Sequence, residues 1–212
     1  MVSLWAYLEG GLTKACTGVA VRAEFEINVA AGNPVMPGVI RLKPNQKRHM
    51  NKDQLTELFR NLGASEPDDW ASSEIDEGIP QLARYLFLKG AWDRIATDDD
   101  TSWIDNVISN VPPNSADPYS GAAHSMRRMI AAGVSKSDIA QLIRSTQAEF
   151  LFDLCYMMDD PGAVAGNDSL VNWAFVEVDD NDNAGRQING LHESVLKTDP
   201  TGREACPTPD GG

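Results

Sequence analysis

Between Asn51 and Gly63 the apolar residues Leu55, Leu58, Phe59 and Leu62 recur at helical spacing. Asn51 followed by Gln54 has the form of a capping box, and Gly63 suits a left-handed helix end. After the polar linker "ASEPDDWASSEIDEG", Pro80 opens "QLARYLFLKGAWDRIA". Its apolar residues cover most of the circumference, as in a buried helix. "DDDTSWIDNVISN" predicts a shorter helix that stops before Pro112-Pro113. Asp117-Pro118 starts another, with Tyr119, Ala122, Ala123, Met126, Met129 and Ile130 on one stripe and Gly133 closing it. Ser135 with Asp138 begins the longest helix. There Ile139, Leu142, Ile143, Phe150, Leu151, Leu154, Cys155 and Met158 read as one continuous buried face, stopped by Asp159-Asp160-Pro161-Gly162.

The period then changes. "LVNWAFVEVDDNDNAGRQINGL" is a β-rich segment, an Asn/Asp/Gly turn and a second short segment, which together predict a hairpin. Residues 199–212 are turn-rich and are expected to form a flexible tail. In residues 19–29 apolar Val19, Val21, Ala23, Phe25, Ile27 and Val29 alternate with Ala20 and polar residues, which predicts a half-buried strand. The fold expected is therefore α+β and mainly helical: about five helices around the one that follows Ser135, with a small antiparallel sheet.

A boundary falls near Met50. Residues 1–49 read as an N-terminal extension forming a β-hairpin, and 50–198 as the helical core domain with its own hairpin. Two readings of the first segment stay open: it joins the C-terminal hairpin in one sheet, or translation starts at Met50. Charge marks the same boundary. Residues 1–49 hold six Lys/Arg against three Glu, a net of +3; residues 50–212 hold twelve against twenty-eight Asp/Glu, a net of −16. Such a field repels nucleic acid and anionic lipid and favours a basic protein partner. Nothing in the sequence excludes a homodimer. No Lys or Arg precedes Lys14, so the start lacks the pattern of an export signal. No apolar run reaches the roughly 18 residues a membrane span requires. Three cysteines, Cys16, Cys155 and Cys206, fit a reducing cytoplasm better than a disulfide scaffold.

Motifs for chemistry are sparse. The turn at 179–185 carries Asp179, Asp180 and Asp182, yet a calcium loop started at Asp179 or Asp180 meets Gly190 or Leu191 where it needs Glu. His192 and Glu193 are adjacent, about 100° apart on a helix, and Leu196 stands where a zinc motif requires its second His. His124 and His49 are the other two histidines, so neither a metal nor a cofactor is expected. Cys155 lies on an apolar stripe, where burial keeps a thiol inert. His124, Arg127 and Arg128 share the polar side of their helix and form a candidate anion clamp. The acidic loops with Asp98, Asp99, Asp100, Asp179, Asp180 and Asp182 form a candidate partner surface.

"FDLCYMMDDPG", "WAFVEVDDND" and "GLHESVLKTDPTGRE" resemble the C-terminal part of small bacterial proteins grouped only as a domain of unknown function. The likeness spans roughly residues 80–205 and implies a bacterial cytosolic origin; it carries over no catalytic or binding residues and leaves function open. Two function classes follow from the residues. The first is an acidic, non-catalytic protein-binding module, such as an immunity-type inhibitor or adaptor. The second is a small hydrolase or ligand-binding enzyme using His124, Arg127 and Arg128 or His192.

Overall fold

The computed structural model describes residues 50–207 except Ala165, Asp168, Ser169 and Asp180. The extension 1–49, with its hairpin and its two readings, lies outside the described residues, as do 208–212. Over the described residues the chain is mainly helical, with seven α-helices and one two-stranded antiparallel sheet.

Helix α1 (Lys52–Leu62) begins with the expected capping box: Gln54 N donates to Asn51 Oδ1 at 2.9 Å and Asn51 N to Gln54 Oε1 at 3.0 Å. Gly63 ends it at φ 90°, a left-handed position that a Cβ would strain. The next segment corrects the sequence expectation of a linker. It is helix α2 (Pro67–Asp76), with Pro67 in the first turn and Asp68 and Asp69 at the positive end of the helix dipole. Trp70 and Ala71 are buried there, and Trp70 stacks on Phe59 at 5.9 Å while meeting Tyr85 edge-on at 5.3 Å. A single Trp can anchor a helix whose remaining surface is polar.

Helix α3 (Gln81–Trp92) is the buried helix foreseen after Pro80. Its start is capped from α2, because Glu74 Oε2 accepts Leu82 N at 2.7 Å. Helices α4 (Ser102–Asn110) and α5 (Gly121–Ala131) pair through a core of Trp103, Ile104 and Met126. Tyr119 does not join that stripe: it stands before α5 with φ 68° and is 82% exposed.

Helix α6 (Lys136–Asp159) spans 24 residues, capped where Asp138 N donates to Ser135 Oγ at 3.0 Å. Its two halves bury different sides. Ile139 and Ala140 pack with α4 and α5, whereas Ala148, Leu151 and Cys155 pack with Leu88, Trp92, Leu191 and Val195. The single continuous face expected from the sequence is therefore split. Phe150 (67% exposed) and Leu142 (58%) lie in solvent rather than on it.

Strands β1 (Val176–Val178) and β2 (Ala184–Gln187) form the hairpin, with a bulge between the pairs Val176–Gln187 and Val178–Ala184. Arg186 ties it to α2, donating from Nη2 to Glu74 Oε1 at 2.5 Å and from Nε to Glu177 Oε2 at 2.8 Å. One turn of helix, α7 (Leu191–Ser194), then places Leu191 and Val195 in the core.

The flexible tail expected after Thr198 has a different character over 199–207. Asp199 is buried, receives Arg144 Nη2 at 2.6 Å and accepts the backbone N–H groups of Thr201 and Ala205. Arg203 reaches back to Asp98, with Nη1 donating to Oδ2 at 3.0 Å. Hydrogen-bonded acids and arginines hold down a segment that its turn-rich composition alone marks as loose. No helix among the described residues is long and apolar enough to cross a membrane.

Candidate functional site

The C-terminal end of α6 and the start of α7 bring two side chains 33 positions apart into contact. Asp159 Oδ2 accepts both the backbone N–H of His192, at 3.0 Å, and its ring Nδ1–H, at 2.6 Å. The carboxylate is 6% exposed and its Oδ1 is buried without a direct hydrogen-bond partner. Gly190, at φ 67°, allows this approach: a Cβ there would stand 2.6 Å from Arg84 Nη2. Arg84 in turn donates to Asn189 O and, at 3.3 Å, to Ser194 Oγ. Burial pulls the Arg84 guanidinium below its usual range, while the charges of Glu193 and Asp159 work in the opposite sense.

The His192 ring stands between Tyr156 and Phe152, edge-on to both, with centroids 5.1 Å and 5.9 Å away. With Nδ1–H given to Asp159, Nε2 of the neutral ring is an acceptor, and the ring is partly exposed. An Asp-oriented His of this kind can take a proton or accept a hydrogen bond from a ligand. Glu193, its neighbour, is exposed and does not join the pair.

His124 and Arg127 are also brought together, to a different end. Arg127 Nη1 donates to His124 Nδ1 at 3.3 Å, and His124 Nε2–H donates to Ser115 O at 2.8 Å. Arg127 Nη2 further donates to Ile108 O, at 2.5 Å, and to Val111 O. These carbonyls lie at the C-terminal end of α4, where Ile108 O also accepts Val111 N, so the clamp holds a helix terminus. Arg128 points elsewhere and donates to Ser125 Oγ at 3.1 Å.

The acidic candidates divide in the same way. Asp98 is buried and paired with Arg203 and Arg144. Asp100 accepts Ser102 N at 2.9 Å and Ser102 Oγ at 2.8 Å, and these bonds hold its carboxyl below the usual range. Asp179 Oδ1 accepts Asn181 N and Asn183 N, organising the hairpin turn. Asp99 and Asp182 remain exposed, and Asp180 lies outside the described residues. Among the described residues, no group of three or more His, Cys, Asp or Glu is placed to hold a metal ion.

Cys155 is fully buried, and burial, with a smaller contribution from Asp159, pushes its thiol up to about 12. An open cleft of about 650 Å³ lies between the α1–α2 turn, α3 and residues 196–204. None of His124, Arg127, Arg128 and His192 lines it.

Sequence reasoning named His192 and missed its pairing with Asp159, which it read as part of a helix stop and of the acidic turns. It also placed Phe150 and Leu142 in the core. The signal for their exposure was present: with Glu149, Asp153 and Met157 they recur on one side of α6, among carboxylates.

No family model matches the chain, and neither a curated protein nor a solved structure matches it.

Proposed function

We propose that this chain is a non-catalytic binding module of the bacterial cytoplasm, an immunity-type inhibitor or adaptor, whose partner is a basic protein. The disposition of charge carries this reading. Seven of the twelve cations after Met50 form ion pairs with carboxylates of the chain itself: Lys52, Arg60, Lys136, Arg144, Arg186, Lys197 and Arg203. Arg127 is held by carbonyls. Carboxylates such as Asp53, Asp69, Glu149, Asp153 and Asp182 stand exposed. A chain whose cations are mostly paired with its own carboxylates, while further acids stand exposed, presents a negative field, which speeds encounter with a basic protein and repels nucleic acid. The odd number of thiols supports the compartment.

The test is capture of partners at low salt, followed by titration of the purified partner. A basic protein is expected, with an association rate that falls as salt passes about 0.15 M, where the Debye length is roughly 8 Å. Duplex DNA should not bind. An acidic partner, or an on-rate indifferent to salt, would remove the reading.

The Asp159–His192 pair favours a second reading, a small hydrolase or ligand-binding enzyme. A hydrolytic activity lost alike in Asp159→Asn and His192→Asn, with both proteins folded, would establish it.

A further inference from the structure

We infer that the solvent-facing side of α6 is the seat of the partner, and that the partner lays on it an amphipathic helix whose apolar stripe is bordered by Lys or Arg. The inference rests on the basic-partner reading and assigns it a surface.

Leu142, Phe150, Tyr156 and Met157 are all exposed large apolar residues of one helix. At about 100° per residue they fall, with Glu149 and Asp153, within roughly half of the helix circumference. The opposite side is already occupied by the core. Trp173 extends the apolar surface past the helix end, where its Nε1 donates to Met157 O at 3.1 Å. Exposed apolar side chains gathered on one element mark an interaction surface far more often than scattered ones do.

Charge selects the occupant. Helix α6 holds two cations. Lys136 sits in the first turn, bonded to Asp105, and Arg144 is buried against Asp199 and the Trp92 ring. The exposed stripe from Leu142 to Met157 therefore carries carboxylates and no cation. A second copy placed across a two-fold axis would oppose Glu149 and Asp153 with the same carboxylates, a like-charge contact that disfavours the pair. Anionic lipid and nucleic acid are repelled for the same reason. A helix with apolar anchors at i, i+3, i+4 and i+7 and cations on its flanks satisfies both components of the surface. The face is long enough for several helical turns, since the 16 residues from Leu142 to Met157 extend about 24 Å. At its rim, His192 offers a polar contact: Nε2 of the neutral ring accepts, and has no partner among the described residues, so it can receive an N–H of Lys, Arg or amide.

The probe is a synthetic Lys/Leu peptide of about five helical turns with its leucines on one face. A permuted peptide of equal composition without that face, and a Glu/Leu counterpart, serve as comparisons. Fluorescence titration at low salt against the full chain is expected to show binding of the amphipathic Lys/Leu peptide, weaker binding of the permuted peptide and none of the Glu/Leu peptide. Leu142→Ser with Phe150→Ser should weaken it about tenfold or more, as removal of interface anchors does. Both sites are exposed, so an unchanged unfolding midpoint checks that the variant is folded. Glu149→Gln with Asp153→Asn should flatten the salt dependence. If the peptide binds but only Asp99→Asn and Asp182→Asn weaken it, the basic-partner reading stands and α6 is not its seat. If no cationic peptide binds, both fall. Self-association in sedimentation velocity that Phe150→Ser abolishes would assign the face to a second copy and overturn the inference.

Discussion

Both sides of α6 carry large apolar residues, and the two differ in what surrounds them. The inner side sets Ala148, Leu151 and Cys155 against α3 and α7, and holds one cation, Arg144, in a buried pair with Asp199. The outer side carries Leu142, Phe150, Tyr156 and Met157 among exposed carboxylates. Apolar side chains close a core on one side and stand in solvent on the other. What separates the two sides is the charge beside them: among the described residues Arg144 is paired with Asp199 inside, and Glu149 and Asp153 form no ion pair outside.

The comparison breaks most visibly at the buried pair. Asp199→Ala should destabilise the fold by about 3 kcal/mol, because it removes the shorter of the two buried carboxylate pairings of Arg144, leaving Asp98 at 3.6 Å, and strips the N–H groups of Thr201 and Ala205 of their acceptor. Burial of Asp199 favours its neutral form, but hydrogen bonds from Thr201, Ala205 and Arg144 more than offset that and lower its pKa. A carboxyl lowered by folding stabilises the protein above its unfolded value near about 3.9, and that stability is lost as pH falls through the lower folded value. Denaturant titrations across this range should therefore show an acid limb that is shallower in Asp199→Ala.

A neighbouring pair of substitutions separates the two sides of the helix directly. Leu151→Ala, on the inner side, should cost about 2–5 kcal/mol, as removal of a buried leucine does. Phe150→Ser, one residue away and outside, should stay within about 0.5 kcal/mol. Equal losses in urea denaturation would mean that the outer side is already covered within the chain.

Cys155→Ser should cost about 1–3 kcal/mol if its hydroxyl stays unpaired. With the folded thiol pushed up to about 12, stability is complete below the unfolded value near about 8.5 and declines as pH rises from there. Slow labelling of the native protein by a thiol reagent is the accompanying expectation, and rapid labelling of Cys155 would contradict its burial. The smallest effect concerns metals. Calcium or zinc should leave Tm unchanged, and a rise of several degrees reversed by chelator would reveal a site.

The limits of α6 were legible, because Ser135 with Asp138 and the run from Asp159 to Gly162 are local signals. Its orientation was not. Periodicity reports that a side of a helix is apolar, and α6 is apolar on the inside and in part on the outside. Helix α2 was hidden for the converse reason: Trp70 and Ala71 are its only buried apolar residues in a polar stretch. The Asp98–Arg203 contact joins residues 105 positions apart, and the Asp159–His192 contact joins residues 33 apart. Neither has a sequence signal, since each exists only once helix packing has closed the distance. The candidate anion clamp shows the same limit. His124 and Arg127 do share a helix face, but the carbonyls that engage Arg127 belong to α4.

The central claim is that the outer side of α6, and not the acidic loops, receives the partner. Hydroxyl-radical footprinting of the full chain, alone and saturated with the amphipathic Lys/Leu peptide, tests it side chain by side chain. Tyr119, 82% exposed and remote in sequence at the start of α5, is the internal reference. Oxidation of Phe150, Tyr156 and Met157 is expected to fall in the complex while that of Tyr119 stays constant. Unchanged oxidation of Phe150 and Met157 in a saturated complex would contradict the assignment.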